Sequence, residues 1–587
     1  MLRLARYSRR TWLRQLQANR SFATTRSQAK QATKNDDSFV EINSASEKER
    51  EDFFSYTWGS WLKNDKQEKE KRYTPFSVEG INDVVRQFRN EKDTVAPAQV
   101  KSVASLSEGK HHRIYLVQMD DQSQYILRIP YPLDLSWEAR RARMQSEVAT
   151  MDFMRKKWDM RIPKVVSWSP TADNPIRREY MMMEYVSATN LMSKWHPIQG
   201  SIADRAPALG VVVNLLEGIL ATRFNGFGSL YFTENVDAKL QDKLPYEGEE
   251  DKELVDRWRL GPSVESSFWQ NGIDHEGSTD RGPWYDPHDY LVAVAKAHIT
   301  AYRVLLSDPM VATSELGLFL PTWLDTYEKY AYVAPRLIPD VPADSDLLSP
   351  RLYHPDMDPT NILVKIAEAK GDATTPFTIP GTNKAYTDPY LLDWEGASIK
   401  PYFLHGAPKF INYTGYKIYK PEEVDQYDLL PDQQKQQIDY MIAATANQYS
   451  FEFLIKHHFP TLINAFSPHA KTLREPYKIA TASDYKYHPL EIVDLRDSLI
   501  KLQQSKPVEL KDLDQKGVFT EDDIEKHQII AGEWDKTVHQ TPFYSTKGWL
   551  PQDMFEDLVK SKELVKDANG NYVRPSADGA DSKSTSE

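Results

Sequence analysis

The stretch "LYHPDMDPTNILV" (residues 352–364) sets one histidine, two aspartates, two prolines and one asparagine directly before a short apolar run. By itself it reads as a polar turn feeding a strand. About 25 residues on, "YLLDWEGASI" (390–399) carries a second apolar run, which closes on Asp393. Phosphoryl transfer needs a carboxylate to orient the acceptor hydroxyl and oxygen ligands for magnesium. A pattern H-x-D-x-x-x-x-N, a strand, and a second strand ending in Asp supplies both. Here it reads His354-Pro355-Asp356-Met357-Asp358-Pro359-Thr360-Asn361, then "ILV", then "YLLD". The step from Asp356 to Asn361 lets one side chain reach an acceptor while the other reaches a metal. Asp358-Pro359 is a turn signal in its own right, and its spacing to Asn361 does not suit that pairing. His354 reads as a hydrogen-bonding brace of the loop. A turn former and a solvated strand end are the plain alternatives for Asp356 and Asp393, and packing is the plain role for Trp394.

Working outward, the pattern changes character on either side. Upstream, residues 100–186 read β-β-α-β-β: "RIYLVQM" and "YILRI" around a "DDQS" turn, a helix over 136–158, then "IPKVVSWS" and "REYMMMEYV". Helical spacing dominates 204–223, 286–307, 315–336 and 431–505, with a last helix expected over 549–567. Residues 236–283 read as an irregular insertion, 367–388 as a turn-rich connection, and "FGSLYF" (227–232) as packing plus a turn. "FFSYTWGSWL" (53–62) reads as an N-terminal strap and "NDKQEKEKR" (64–72) as a solvated charged face. The expected fold class is therefore α+β, with a small β-rich N-lobe and a larger, mostly helical C-lobe. The expected segments are a presequence (1–34), linker and strap (35–99), β-rich lobe (100–186), helical lobe (187–567) and a disordered tail (568–587).

The 587-residue chain has no cysteine, which excludes disulfides, thiolate metal sites and a cysteine nucleophile. Residues 1–34 hold seven Arg, two Lys and no acid, with Leu2, Ala5, Trp12, Leu13 and Leu16 near one helical face. That composition reads as a mitochondrial presequence, with Arg20-Ser21-Phe22-Ala23 suited to cleavage after Phe22 and delivery to the matrix. The whole chain carries −12 and that segment +9, so the body carries −21. Such a body is a poor nonspecific binder of nucleic acid and suits a cationic or neutral small molecule better than a polyanion. No apolar run is long enough for a membrane span.

With these segments in order, the chain resembles the aminoglycoside phosphotransferase and choline kinase-like family, a branch of the bilobal protein kinase-like fold. It is most similar there to the fungal mitochondrial members. The stretches that carry the likeness are "EGKHHRIYLV", "YILRIPYP", "SEVATMDFMR", "IPKVVSW", "YMMMEYV", "GFGSLYF", "RGPW", "HPDMDPTNILV" and "LLDWEGA". They cover roughly residues 50–565. The resemblance implies an ATP- and magnesium-dependent phosphotransferase. It implies Asp356 as catalytic base, with His354 beside it in the catalytic set, and Asn361 and Asp393 as magnesium ligands. It further implies Glu147 as partner of the nucleotide-binding cation, and Glu184 and Val186 as adenine-facing backbone in the hinge "MEYV". Gly109 falls in the phosphate-covering loop "SEGKHH" (107–112). Two positions depart from the pattern. Arg128 stands where kinases usually have Lys, and its planar fork grips phosphate differently. Gly109 is the loop's single glycine.

The two leading functions are thus a kinase of a small hydroxylated molecule and a pseudokinase or scaffold in the mitochondrion. A protein kinase fits less well, since no D-F-G or A-P-E element follows Asp393. "DLDQKGVFTEDD" (512–523) resembles a calcium loop, but Lys516 and Asp523 occupy positions that loop reserves for other ligands. The adjacent histidines of "KHHFP" (456–460) read as surface or core residues.

Overall fold

The computed structural model describes residues 39–40, 46–91, 97–133, 135–195, 202–269, 279–341, 346–369, 377–379, 381–413, 415–483, 488–505, 519–541 and 543–575. The expected presequence (1–34), most of the 512–523 loop and the last residues of the tail lie outside them. The chain divides into two compact units. One comprises residues 1–134, 165–185 and 535–587, the other 135–164 and 186–534.

The first unit is built on an antiparallel sheet. Helix α1 (Glu79–Phe88) precedes strands β1 (Val100–Glu108), β2 (His112–Met119) and β3 (Gln124–Pro130). Helix α2 (Trp137–Trp158) belongs to the other unit, and β4 (Val165–Ser169) and β5 (Tyr180–Glu184) return to the first. The sheet order is β1-β2-β3-β5-β4, with Phe39–Val40 on the outer edge of β1. The expected β2–β3 hairpin forms with His112 opposite Pro130 and Gln118 opposite Gln124. Alternation places Tyr115, Val117 and Met119 of β2, Leu127 and Ile129 of β3, and Tyr180 and Met182 of β5 in one core. Ile81, Val84 and Val85 on one face of α1 close it.

The strap and the C-terminal segment complete this unit together. Gly59–Trp61 pairs antiparallel with Trp549–Pro551. The expected helix over 549–567 is therefore shorter: only Gln552–Lys560 is helical, and Val565–Lys566 pairs with Tyr572–Val573. Trp549, Leu550 and Pro551 take the extended state because a partner strand satisfies their backbone. The charged run 64–72 is not wholly solvated either. Arg72 is buried, stacks 4.3 Å over the Trp61 ring and bonds Glu68 at 2.9 Å.

The second unit is mostly helical. After β6 (Thr189–Asn190) come α3 (Ile202–Leu220), α4 (Pro287–Ser307) and α5 (Glu315–Val333). Then follow β7 (Pro350–Tyr353), β8 (Ile362–Glu368), β9 (Lys384–Leu391), β10 (Ser398–Pro401), α6 (Asp432–His458), α7 (Pro468–Ala482) and α8 (Ile492–Ser505). The 236–283 stretch is less irregular than its composition suggests, since Trp258–Gly261 pairs with Ser229–Phe232. "FGSLYF" thus contributes a buried strand. A helix over Glu521–Gln540 has no counterpart in the sequence reading. Among the described residues no helix is long and apolar enough to cross a membrane.

Candidate functional site

Two strand pairings position the loop 354–361. Strand β7 pairs with β10, Tyr353 opposite Ser398, and β8 pairs with β9, Ile362 opposite Leu391. The loop joining β7 to β8 and the turn joining β9 to β10 therefore leave adjacent strand ends together. A third bond links the two: the Leu392 N–H donates to the Asn361 carbonyl at 2.8 Å. This places Asp393 beside Asn361 along the chain of contacts, although 32 positions separate them in sequence.

Inside the loop, Asn361 Nδ2 donates to Asp356 Oδ2 and to the Asp356 carbonyl, both at 3.0 Å. The five-residue step thus brings these two side chains into direct contact. It leaves Asn361 Oδ1 available as an acceptor, because the amide can turn only one end to Asp356. Asp356 itself is exposed. Asp358 does different work. Its Oδ1 accepts from the Thr360 N–H at 2.9 Å and the Thr360 hydroxyl at 2.7 Å, capping the short turn Pro359–Asn361. Burial pushes the Asp358 carboxyl above the ordinary carboxylate range, against those two bonds. Pro359 at the first position of that turn fixes its entry.

His354 is buried and braces the site. Its Nε2 lies 3.0 Å from the Leu392 carbonyl, and its Nδ1 accepts the Asp356 N–H at 3.2 Å. An acceptor Nδ1 requires the proton on Nε2, so the imidazole is neutral and donates to Leu392. Burial lowers its pKa, with the charges of Asp393 and Asp356 and the Leu392 carbonyl acting the other way. The ring stands edge-on to Trp394 with centroids 4.9 Å apart. Trp394 is fully buried and donates its indole N–H to the Leu391 carbonyl at 3.2 Å. That turn needs two left-handed residues, Asp393 at φ +58° and Gly396 at φ +78°. Aspartate tolerates that region better than most residues, and glycine adopts it freely.

Two participants and one contact escaped the sequence reading. Asn190 Nδ2 donates to the Thr360 carbonyl at 2.5 Å, tying β6 to the loop. Trp394 braces His354 as well as packing. Arg143 on α2 lies 3.7 Å from Glu395. None carries a local signal, because each acts on a segment far away in the chain.

The remaining expected residues fall as follows. Gly109 opens the turn between β1 and β2, where its N–H donates to the His112 carbonyl at 2.9 Å. Arg128 sits buried on β3, opposite Ile114 and Met181. Glu184 ends β5 opposite Tyr125, and the first unit gives way to the second between Tyr185 and Val186. Glu147 is buried on α2, in the second unit with Asp356, Asn361 and Asp393. The donors at the loop and turn, an amide oxygen and carboxylates, are the hard oxygens that magnesium takes.

No family model matches the chain. Among solved structures, spectinomycin phosphotransferase in complex with ADP and spectinomycin aligns over 78% of this chain and 99% of its own, at 12% identity and a TM-score of 0.27. A choline kinase from Cryptosporidium parvum aligns over 74% and 99%, at 10% identity and a TM-score of 0.31. Sequence relatives are far nearer. "Altered inheritance of mitochondria protein 9, mitochondrial" of Yarrowia lipolytica is 39% identical over 552 residues, covering 91% of this chain and 90% of the relative. At that identity and coverage, the chain belongs to the altered inheritance of mitochondria protein 9 family.

Proposed function

We propose that this protein is an ATP- and magnesium-dependent phosphotransferase of the mitochondrial matrix, acting on a hydroxyl of a small molecule. The observation that carries the reading is the Asn361–Asp356 side-chain bond at 3.0 Å on a loop tied to the turn that bears Asp393. The exposed Asp356 carboxylate orients the acceptor hydroxyl and takes its proton as the oxygen attacks. Asn361 Nδ2 fixes that carboxylate, while its Oδ1 and the Asp393 carboxylate are the candidate metal ligands. Mg-ATP, when bound, would supply the phosphoryl group and carry off ADP as the leaving group, and its magnesium would offset the phosphate charge. His354 holds the loop to the turn and exchanges no proton itself. The matrix assignment rests on the acid-free, arginine-rich start and on the word mitochondrial in the relatives' names.

The test is Mg-ATP consumption by purified protein against a mitochondrial metabolite extract, wild type beside Asp356→Ala. Turnover lost in the variant with an unchanged melting temperature is the expected result. Equal phosphorylation by both proteins would refute the role of Asp356. The second reading is a pseudokinase with a role in mitochondrial inheritance. Arg128 in the place of the usual lysine and a covering turn with Gly109 as its one glycine favour it. No change in melting temperature with Mg-ATP, in wild type and Asp393→Ala alike, would select it.

A further inference from the structure

The loop 405–409 gathers positive charge beside the 354–361 loop. Gly406 adopts φ +71°, and a β-carbon there would lie 3.3 Å from Lys478 Nζ and 3.4 Å from Arg474 Cζ. Two cations of α7 therefore converge on one glycine. Arg474 is 2% exposed and among the described residues bonds only the Phe403 and Ala465 carbonyls, at 3.2 and 2.5 Å. Neither it nor Lys478 has a carboxylate within ion-pair distance among the described residues. Lys478 is half-buried. Burial, and the charges of Arg474, Lys400 and Lys409 against that of Glu475, bring its pKa down to about 8.

Lys400 differs, because Glu265 neutralises it at 2.5 Å. Its ammonium stands 4.1 Å from the Tyr353 ring, and Tyr353 immediately precedes His354. Tyr353 also packs edge-on to His405 at 5.1 Å. The charge of Lys409 in turn acts on the Asp358 carboxyl. The cluster thus adjoins the loop that carries Asp356. The N–H groups of Gly406 and Ala407 have no hydrogen-bond partner among the described residues and add open donors. Arg474 is buried and Lys478 half-buried, and like charges held together partly out of water destabilise a fold, so such an arrangement is expected where an anion completes it.

We propose that the acceptor molecule carries a phosphate or carboxylate group, which seats on Lys478, Lys409 and the Gly406 turn, with the buried Arg474 charge behind them, while its hydroxyl meets Asp356. This rests on the phosphotransferase reading. It reverses the sign that the acidic body suggests, because a site responds to the charges that face it and not to the total. The missing side chain at Gly406 leaves room for the anion to approach Lys478.

The test is calorimetric titration of the full-length protein with inorganic phosphate, with acetate, and with choline as a cationic control, each with and without saturating Mg-ADP. Wild type, Lys478→Gln, Lys409→Gln and Asp356→Asn are compared. Wild type and Asp356→Asn should bind one anion alike, undisturbed by Mg-ADP. Lys478→Gln should weaken that binding about tenfold, the worth of one charge-assisted hydrogen bond. In anion-free buffer Lys478→Gln should melt higher than wild type, since a crowded cation is gone. Tighter phosphate than acetate assigns a phosphorylated acceptor, and the reverse a carboxylate. No anion binding, displacement by Mg-ADP, equal binding by Lys478→Gln, or tighter choline would overturn the proposal. Mg-ATP turnover without anion binding sinks the cluster and spares the kinase reading. Anion binding without any Mg-ATP turnover sinks both the kinase reading and the acceptor assignment.

Discussion

His354→Ala is the most informative single change, because it separates a brace from a proton carrier. The substitution removes the partner of the Leu392 carbonyl and that of the Asp356 N–H, now satisfied at 3.0 and 3.2 Å. The stranded Leu392 carbonyl costs about 1–3 kcal/mol, and the Asp356 N–H, on an exposed residue that water can reach, costs less. The lost edge contact with Trp394 adds about 0.5–1.5 kcal/mol. A destabilisation on the order of 4 kcal/mol is expected, read as a shift of the urea midpoint at constant slope and followed by tryptophan fluorescence. His354→Gln, which offers a shorter donor and acceptor, should recover part of it. Turnover should fall in both variants in proportion to the disorder of the loop, with no new dependence on pH. A loss below about 1 kcal/mol in His354→Ala would refute the reasoning, since the two bonds could not then be holding the loop to the turn.

Two further changes probe each unit by itself. In the first, Glu108 accepts from the Thr57 and Trp58 N–H groups at 2.7 and 3.1 Å and pairs with Arg113 at 2.8 Å, both side chains nearly inaccessible. Glu108→Ala leaves a buried arginine uncompensated and should cost about 3–5 kcal/mol, with faster proteolysis of the strap around Thr57. In the second, Glu249 is affected first by burial, which raises its pKa. Bonds from Lys157, Tyr246 and the Asp251 backbone outweigh that and hold it at about 2. A carboxyl lowered on folding stabilises fully above its unfolded value of 4.5. That stability is lost as pH falls toward about 2. Melting temperature should therefore drop across that window in wild type, and Glu249→Gln should flatten the profile.

What the sequence determined was written in short windows. The β2–β3 hairpin follows from alternation around "DDQS", and α2 from uninterrupted helical spacing after the Ser136 cap, whose side chain accepts the Ala139 N–H. The placing of Asp356 and Asn361 on one loop follows from their spacing, and the turn at Asp358 from Asp-Pro; that the two side chains touch and that Asp358 caps the turn are structural findings. Tertiary structure decided whatever depends on segments far apart in the chain. Trp549–Pro551 is a strand because Gly59–Trp61 lies across from it, where local spacing suggested helix. His354 is a brace because Leu392 faces its Nε2. Arg72 is buried because Trp61 offers it a ring face. The basic cluster at Gly406 forms only when α7 meets the loop 405–409. A chain total of −12 gives no hint of it, because charge acts over a few ångströms in a folded site and composition is blind to position.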